Sequence, residues 1–464
     1  MRPSLPLPRL ALSLLVGIAL IALVASGTAR AQEVSRGAQP TPDSVEELGG
    51  ALQEAFEEDR RVVGLFPRLT RAMGKLPPFL RDTELTFRTR TYYFDRWNQD
   101  ETRSQAWTLG GALVYRSGWL KDTFAIGAAV YTSQRLYGRK DRDGTGLLRP
   151  GQKGYTVAGQ AYGEFRYREH HRLKLYRQVV DLPYVNEADT RMTPNTFEAY
   201  LVRGSFADLP YLGELNYVAG WIGRIRPRGE DKFVPMSEVA GVEDGKYGMA
   251  TATFRIRPRE DFYVGVTNHF VNDTMNVFYA EGSYVRKLTD DWSLRLEGQF
   301  THQMSVGDER APESPFDTWN GSVRLATSYR GVIATLAGSV TAESAAIRKP
   351  WGLSPAYLGL ILSDFDRPGE DAWLLGLSYD FKYLGIPGLS AFVNLAWGYD
   401  ARDVSGADRF TDQWEFNGTL DYRFPEGLLK GLWLRVRGAT REIVGGPGDA
   451  DEIRIIVSYD LPIL

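Results

Sequence analysis

Pairs of arginines two residues apart are the feature of this sequence that could do chemistry. Arg88 and Arg90 lie in ELTFRTRTYYF, and Arg435 and Arg437 lie in LWLRVRGA. Residues i and i+2 of a β-strand point to the same face, so each pair projects two cations in one direction. Guanidinium is always charged and binds carboxylate oxygens in a bidentate way. A row of such pairs predicts a series of weak sites for anionic solutes.

The same pattern extends the set to other segments. Charged residues opposite the apolar face occur in YGEFRYR and WIGRIR, and again near the C-terminus. An alternative is that these arginines pair with acids such as Glu84, Glu164, Glu198 and Glu415 and only brace the interior. The candidate substrate-binding residues are Arg88, Arg90, Arg166, Arg168, Arg224, Arg226, Arg435, Arg437 and Arg454.

The closing stretch, 429–464, shows the type of element that carries these arginines. Its first half alternates apolar residues with Trp433, Arg435 and Arg437, and its second half places Ile453, Ile455, Val457, Tyr459 and Leu461 on one face. Nearly every segment has this form. An arginine facing lipid at mid-depth costs about 2–4 kcal/mol, so the arginine face belongs on water. The pattern predicts an all-β protein, a closed antiparallel transmembrane β-barrel with an apolar outer face.

Composition narrows the function classes. The chain has 464 residues, a formal net charge of −3, no Cys and a mean hydropathy of −0.30. Zero Cys excludes disulfides and thiolate metal sites. The charge does not suggest a nucleic-acid partner. We expect no metal and no cofactor.

The N-terminal segment has the features of a targeting signal. Arg2 and Arg9 precede an apolar run, and ASGTARA supplies a small-residue cleavage site after Ala31. Helical spacing of apolar residues after Asp43 predicts a short helical lead-in. The predicted organisation is a signal peptide at 1–31, a periplasmic N-terminal lead-in at 32–80 and an outer membrane β-barrel at 81–464.

The period-two segments number about 18, an even number, as in bacterial single-chain barrels. Most turns on one side are tight, including EHHR, LTD and LGIPG. Connections on the other side are mostly longer, which matches the periplasmic and extracellular rims. Every backbone polar group in hydrocarbon needs a partner, so the sheet must close. The longer connections are predicted at 133–154, 179–194, 227–245, 306–317, 345–370 and 401–409.

Two of the long loops are candidates for narrowing the pore. Acidic residues facing an arginine wall would create a transverse field that orients a carboxylate solute. Solvated surface loops are the alternative for each. The candidate constriction residues are Asp181, Asp189 and Arg191 in loop 179–194, and Asp364 and Asp366 in loop 345–370.

Enzymatic function has little support. The histidines are His170, His171, His269 and His302. The first two fall in a predicted periplasmic turn, whereas His269 lies near an extracellular strand end and could in principle serve a nucleophile. The sequence has no GxSxG elbow and no HExxH. We therefore expect a channel with no catalytic residues.

Six stretches are informative in combination, namely FRTRTYYFDR (87–96), AWTLGGALVYRSGW (106–119), YRQVVDLPYVNEADTRMTPNTFEAY (176–200), YLGIPGLSAFVNLAWGYD (383–400), GLWLRVRGATRE (431–442) and DEIRIIVSYDLP (451–462). Taken together, they resemble the OprD-like outer membrane porins. This resemblance covers nearly all of 80–464. The long lead-in and the terminal Leu464 depart from it.

The resemblance implies an 18-stranded barrel in the outer membrane, narrowed by loops that fold inward. It also implies an arginine ladder and passive, substrate-selective uptake of small carboxylate-bearing solutes. The expected partners are outer membrane lipid and those solutes, with the chain a monomer or a loose homotrimer. A non-selective general diffusion porin is the alternative function, because it shares the fold and location.

Overall fold

The chain forms one closed barrel. The computed structural model describes residues 66–168, 170–403 and 408–464. The first strand pairs with its sequence neighbour at Thr89↔Gly111 and with the last strand at Thr89↔Tyr459, so no sheet edge is left open at the seam. All pairings are antiparallel, and 18 strands complete the circuit, which confirms the predicted architecture. The signal peptide and most of the lead-in, 1–65, lie outside the described residues.

The strands run between two rims, and β1 begins and β21 ends at the same one, the predicted periplasmic rim. Strand bounds agree with the sequence pattern to within a few residues in most cases. The barrel strands are β1 Glu84–Asn98, β2 Arg103–Arg116, β3 Phe124–Tyr137, β4 Tyr155–Tyr167, β5 His171–Gln178, β8 Thr196–Leu209, β9 Gly213–Arg226, β11 Met249–Arg259, β12 Phe262–Val271, β13 Met275–Lys287, β14 Trp292–Ser305, β15 Asp317–Tyr329, β16 Val332–Thr341, β17 Asp371–Asp380, β18 Leu389–Tyr399, β19 Gln413–Arg423, β20 Trp433–Ile443 and β21 Ala450–Pro462.

The remaining elements are short and lie outside the barrel wall proper. Loop 179–195 contains a hairpin of two two-residue strands. Loop 227–248 contains a two-residue strand that pairs with the end of β9, followed by one helical turn. From residue 66 onward, two helical segments precede the barrel. These elements are β6 Asp181–Leu182, β7 Val185–Asn186, β10 Val234–Pro235, α1 Pro67–Met73, α2 Pro78–Arg81, α3 Met236–Val239 and the 3₁₀ turns Lys140–Arg142 and Phe381–Leu384.

Side chains divide by face as the period of two requires. On β14, Leu296 and Phe300 are exposed outward, whereas Glu297, Gln299 and Thr301 are buried inside. The largest apolar cluster is also inside the barrel. It packs side chains of loop 179–195, such as Val180 and Tyr184, on inward residues of the wall. Inward-folded loops thus occupy part of the lumen. The aromatic side chains of Tyr92 and Tyr131 also point inward and are buried.

A β-bulge in β9 changes the face on which one predicted site residue, Arg224, lies. Glu198 pairs with Arg224 and Ala199 pairs with Ile222, so Gly223 is an extra residue in β9. One extra residue reverses the alternation beyond it. Arg224 therefore lies on the outward face with Trp221, not on the inward face that strict alternation predicts.

Candidate functional site

Five of the nine candidate arginines meet on one wall of the lumen. The register places Arg88 opposite Asp460 and Arg90 opposite Ser458, across β1 and β21. Across β20 and β21 it places Arg437 opposite Arg454. Antiparallel neighbours that lie directly opposite share a face. Arg435, two residues along β20, completes the group. We call these five residues, Arg88, Arg90, Arg435, Arg437 and Arg454, the arginine wall.

The members of the arginine wall differ in how far they are neutralised. Arg435 donates two hydrogen bonds to Asp421, at 2.7 and 2.9 Å, and its guanidinium lies 4.4 Å from the ring centre of Trp433. Arg454 is buried and bonds to Glu452.

The remaining members differ in exposure. Arg437 is buried and donates to the Thr419 hydroxyl, a neutral partner. The Arg88 side chain is 48% exposed, and its Nε lies 3.4 Å from Asp460. Arg88 is therefore the most exposed member of the arginine wall.

The other four predicted arginines lie elsewhere. Arg166 reaches the periplasmic mouth, where it stacks 4.3 Å from the ring centre of Trp119. Arg168 follows β4 in the turn, with a positive φ of 49°. Arg226 is buried, and its guanidinium donates to the carbonyls of Pro194, Pro227 and Glu230. These contacts make Arg226 a brace between the bases of two loops.

Loop 179–195 crosses the lumen and is tied to both sides of the barrel. On the near side, Arg90 binds Asp189 in a bidentate way, at 2.7 and 2.8 Å, and also donates to the Arg191 carbonyl. On the far side, the Tyr184 hydroxyl lies 2.8 Å from Thr301 on β14. The loop is thus held at both ends inside the barrel, and the constriction role of Asp189 and Arg191 stays a prediction.

Carboxylates of this loop face the arginine wall. Glu187, Asp189 and Met192 line one side of a recess whose other side includes Arg88 and Asp460. Burial raises the pKa of Glu187 to about 7. The negative charges of Asp189 and Asp181 act in the same direction, whereas Arg88 and Arg90 oppose it. Anionic and cationic groups thus meet across this recess.

Asp181 and Arg191 sit at the two ends of the same loop. Burial raises the pKa of Asp181, and Arg255, on a different part of the wall, opposes that rise. Arg191 donates to the Thr145 carbonyl of loop 138–154. Burial, followed by the charge of Arg454, lowers the pKa of Arg191 to about 9.

Asp364 and Asp366 have a different environment from Asp189. Both bind the Lys349 ammonium within loop 342–370, at 2.9 Å for Asp364. This loop meets loop 179–195, because the Asn186 side chain exchanges hydrogen bonds with the backbone of Leu353. The two loops that the sequence suggested as alternatives are therefore joined.

Glu415 anchors loop 342–370 from the wall. Its carboxylate accepts hydrogen bonds from the backbone N–H groups of Ile361, Leu362 and Ser363, at 2.8–3.0 Å. A buried carboxylate is stable here because three donors and Asn417 satisfy it. Glu415 therefore positions a loop, a role that differs from the arginine pairing considered from sequence.

Sequence reasoning missed a second cationic cluster near the periplasmic end of the lumen. The buried Glu164 lies 3.4–3.6 Å from guanidinium nitrogens of Arg116, Arg172 and Arg203. Lys174 pairs with Glu164 across the strands. The sequence signal that could have revealed this cluster is the alternation of Arg172 and Lys174 with leucines in HRLKL. The positive lining thus continues beyond the constriction.

His269 has a structural position. Its Nε2 lies 2.7 Å from the Pro183 carbonyl, and its Nδ1 lies 2.9 Å from the Thr251 hydroxyl. A carbonyl only accepts, so Nε2 carries the proton and Nδ1 accepts from Thr251. His269 holds loop 179–195 to the far wall.

Comparison with known proteins agrees with this architecture. The family model described as outer membrane porin, OprD family, matches residues 77–463. Porin D of Pseudomonas aeruginosa is 24% identical over 431 residues, covering 83% of this chain and 92% of its own length. The Porin-like protein GalP of Pseudomonas putida is 24% identical over 411 residues, covering 83% of this chain and 93% of its own length.

Solved structures show the same fold. OccK9 (OpdG) of Pseudomonas aeruginosa superposes with a TM-score of 0.74 at 23% identity, covering 83% of this chain and all of its own. OpdK of Pseudomonas aeruginosa, solved with vanillate, gives a TM-score of 0.72 at 22% identity, with the same coverage.

Proposed function

Because this chain belongs to the OprD family of outer membrane porins, we propose that it is a passive uptake channel selective for small carboxylate-bearing solutes. Membership makes it an outer membrane channel for small solutes and not an enzyme. The selectivity is our inference. The observation that carries it is the bidentate contact of Arg90 with Asp189, which sets loop carboxylates directly against the arginine wall.

The physical basis is a field across the pore. Arg88 and Arg90 stand on one side, and Glu187 lies on the other. A solute carboxylate is drawn to the cationic side, and a solute cation or hydroxyl group turns toward the acids. The Asp189 carboxylate already occupies Arg90, so the 48% exposed Arg88 is the residue that we assign to the first contact with a solute.

Transport also requires that binding stay weak. The arginine wall offers sites that are each partly satisfied by acids such as Asp460 and Asp421. A solute must compete with these acids, so no single site holds it strongly. Steps of two residues along a strand separate the sites by about 7 Å, a distance over which a carboxylate can be passed between neighbours. The Glu164 cluster would receive it on the periplasmic side.

The test is single-channel current through refolded protein in a planar bilayer, with and without a small aromatic or aliphatic carboxylate. We expect discrete small steps that the carboxylate blocks in a saturable way. Arg88→Gln should weaken the block, whereas Arg259→Gln, on an exposed arginine of a periplasmic turn, should leave it unchanged. Large currents that are indifferent to carboxylate and to both variants would identify a general diffusion porin and reject the proposal.

A further inference from the structure

Three polar side chains form a compact group on the outside of the barrel. Glu198 accepts two hydrogen bonds from Arg177, each at 3.0 Å, and Arg224 approaches Glu198 at 3.9 Å. We call these residues the outer arginine group. Two arginines and one glutamate leave an excess of one positive charge. The Arg224 side chain is 55% exposed.

The outward direction follows from the neighbours of Glu198. Phe197 and Ala199, on either side of it in β8, are buried in the cluster formed with the inward-folded loop. Successive residues of a strand point to opposite faces, so Glu198 shares the outer face with Tyr200. Tyr200 is exposed outward. The Gly223 bulge brings Arg224 to the same face.

The position of the outer arginine group along the membrane normal follows from the aromatic residues on its periplasmic side. Tyr200 pairs with Trp221 across β8 and β9, and both rings are exposed outward. Such pairs mark the membrane–water interface. The pair Glu198↔Arg224 lies about 7 Å closer to the extracellular rim, since a strand rises about 3.3 Å per residue. The outer arginine group therefore stands in the headgroup layer of the outer leaflet.

From this placement we propose that Arg177 and Arg224 bind the phosphate of an outer-leaflet lipid headgroup. Guanidinium groups form charge-assisted, often bidentate hydrogen bonds with phosphate oxygens. The Arg177 guanidinium lies 4.2 Å from the ring centre of Phe233 and 5.3 Å from that of Tyr176, so the more exposed Arg224 offers the main contact to phosphate. Glu198, which contacts both arginines, keeps them close together when no phosphate is present. The site is separate from the pore and does not depend on which solute passes.

Native mass spectrometry of the detergent-purified protein, titrated with bisphosphorylated lipid A, tests the proposal. The wild-type protein should retain lipid adducts, and Arg224→Gln should weaken them roughly tenfold, as expected for the loss of one charge-assisted contact. Glu198→Gln should strengthen them, because it removes a competing acid. Arg259→Gln, an exposed arginine at the periplasmic end, is the matched control and should bind like wild type.

Several outcomes would overturn the assignment. Equal retention of lipid A after enzymatic removal of its phosphates would show that phosphate is not recognised. Equal binding of lipid A by wild type and Arg224→Gln would show that Arg224 does not form a lipid site. Weaker binding by Glu198→Gln would mean that the group only supports the wall. Displacement of the lipid by inorganic phosphate alone would replace a lipid site with a free-anion site.

Discussion

Arg90 on strand β1 and Asp189 in loop 179–195 are 99 residues apart in sequence and form a bidentate ion pair. The same arginine donates to the Arg191 carbonyl, so a single side chain contacts loop 179–195 at two residues. These contacts link the barrel wall to the loop that we propose as the constriction. Its consequences can be measured in the following ways.

Asp189→Asn should widen the passage and strengthen carboxylate block. The substitution removes the ion pair that holds the loop to β1, and it frees the Arg90 charge for a solute. We expect a larger single-channel conductance and a block at lower carboxylate concentration. Asp231→Asn is the control, because Asp231 pairs with Arg149 between two other loops, at 2.6 Å. Unchanged conductance in Asp189→Asn would mean that the loop keeps its position without this pair.

Arg88→Gln should weaken carboxylate block roughly tenfold while leaving the fold intact. The side chain is half exposed and its contact with Asp460 is 3.4 Å, so little stability is lost on replacement. A charge-assisted contact with a solute contributes about 1.5–3 kcal/mol, which sets the size of the effect. Arg435→Gln serves as a comparison, since Arg435 is already satisfied by Asp421. If Arg435→Gln weakened carboxylate block more than Arg88→Gln did, Arg435 and not Arg88 would make the first contact with the solute.

Anion selectivity should rise as the pH falls from 8 to 6. Burial raises the pKa of Glu187 to about 7, with Asp189 and Asp181 acting in the same direction and Arg88 and Arg90 opposing it. The carboxyl group is negative above that pH and neutral below it. Protonation therefore removes a negative charge from the constriction. The measurement is the reversal potential in a salt gradient at each pH.

Glu187→Gln is the control for that titration. The variant should show the low-pH selectivity at every pH, with no step near 7. A step of the same size in Glu187→Gln would assign the titration to another group.

Glu415→Gln should loosen loop 342–370. The carboxylate accepts three backbone N–H bonds, and hydrogen bonds to a charged acceptor contribute about 1.5–3 kcal/mol each. An amide retains one acceptor oxygen, so part of this stabilisation is lost. Hydrogen–deuterium exchange at 361–363 should accelerate, while exchange in β19 away from residue 415 stays slow. Equal protection in variant and wild type would show that the loop is held by its other contacts.

His269→Phe should increase current noise. Because His269 has a structural position, we expect no hydrolytic activity to depend on it. The imidazole links Thr251 to the Pro183 carbonyl, and phenylalanine fills the volume but makes neither bond. The constriction loop then loses one anchor on the far wall. Brief closures or openings in single-channel records are the expected signature. Loss of a hydrolase activity in this variant would contradict the channel assignment.

The fold could be read from sequence because its signal is local. Alternation of Ile453, Ile455 and Val457 with charged residues indicates a strand with one face in lipid, and 18 such strands must close on themselves. The arginine wall was likewise accessible, because Arg88 and Arg90, or Arg435 and Arg437, differ by two residues. The alternation of side chains along a β-strand is enough to place both members of each pair on the same face.

Tertiary structure decided which partners these residues meet. Pairing of Arg90 with Asp189 depends on a loop crossing the lumen, and no local pattern encodes that path. The position of Arg224 depended on the Gly223 bulge, since one unpaired residue reverses every face beyond it. The sequence by itself determined that this chain is a barrel with cationic side chains facing water. Only the folded loops decided which of those cations are already neutralised and which face the passage.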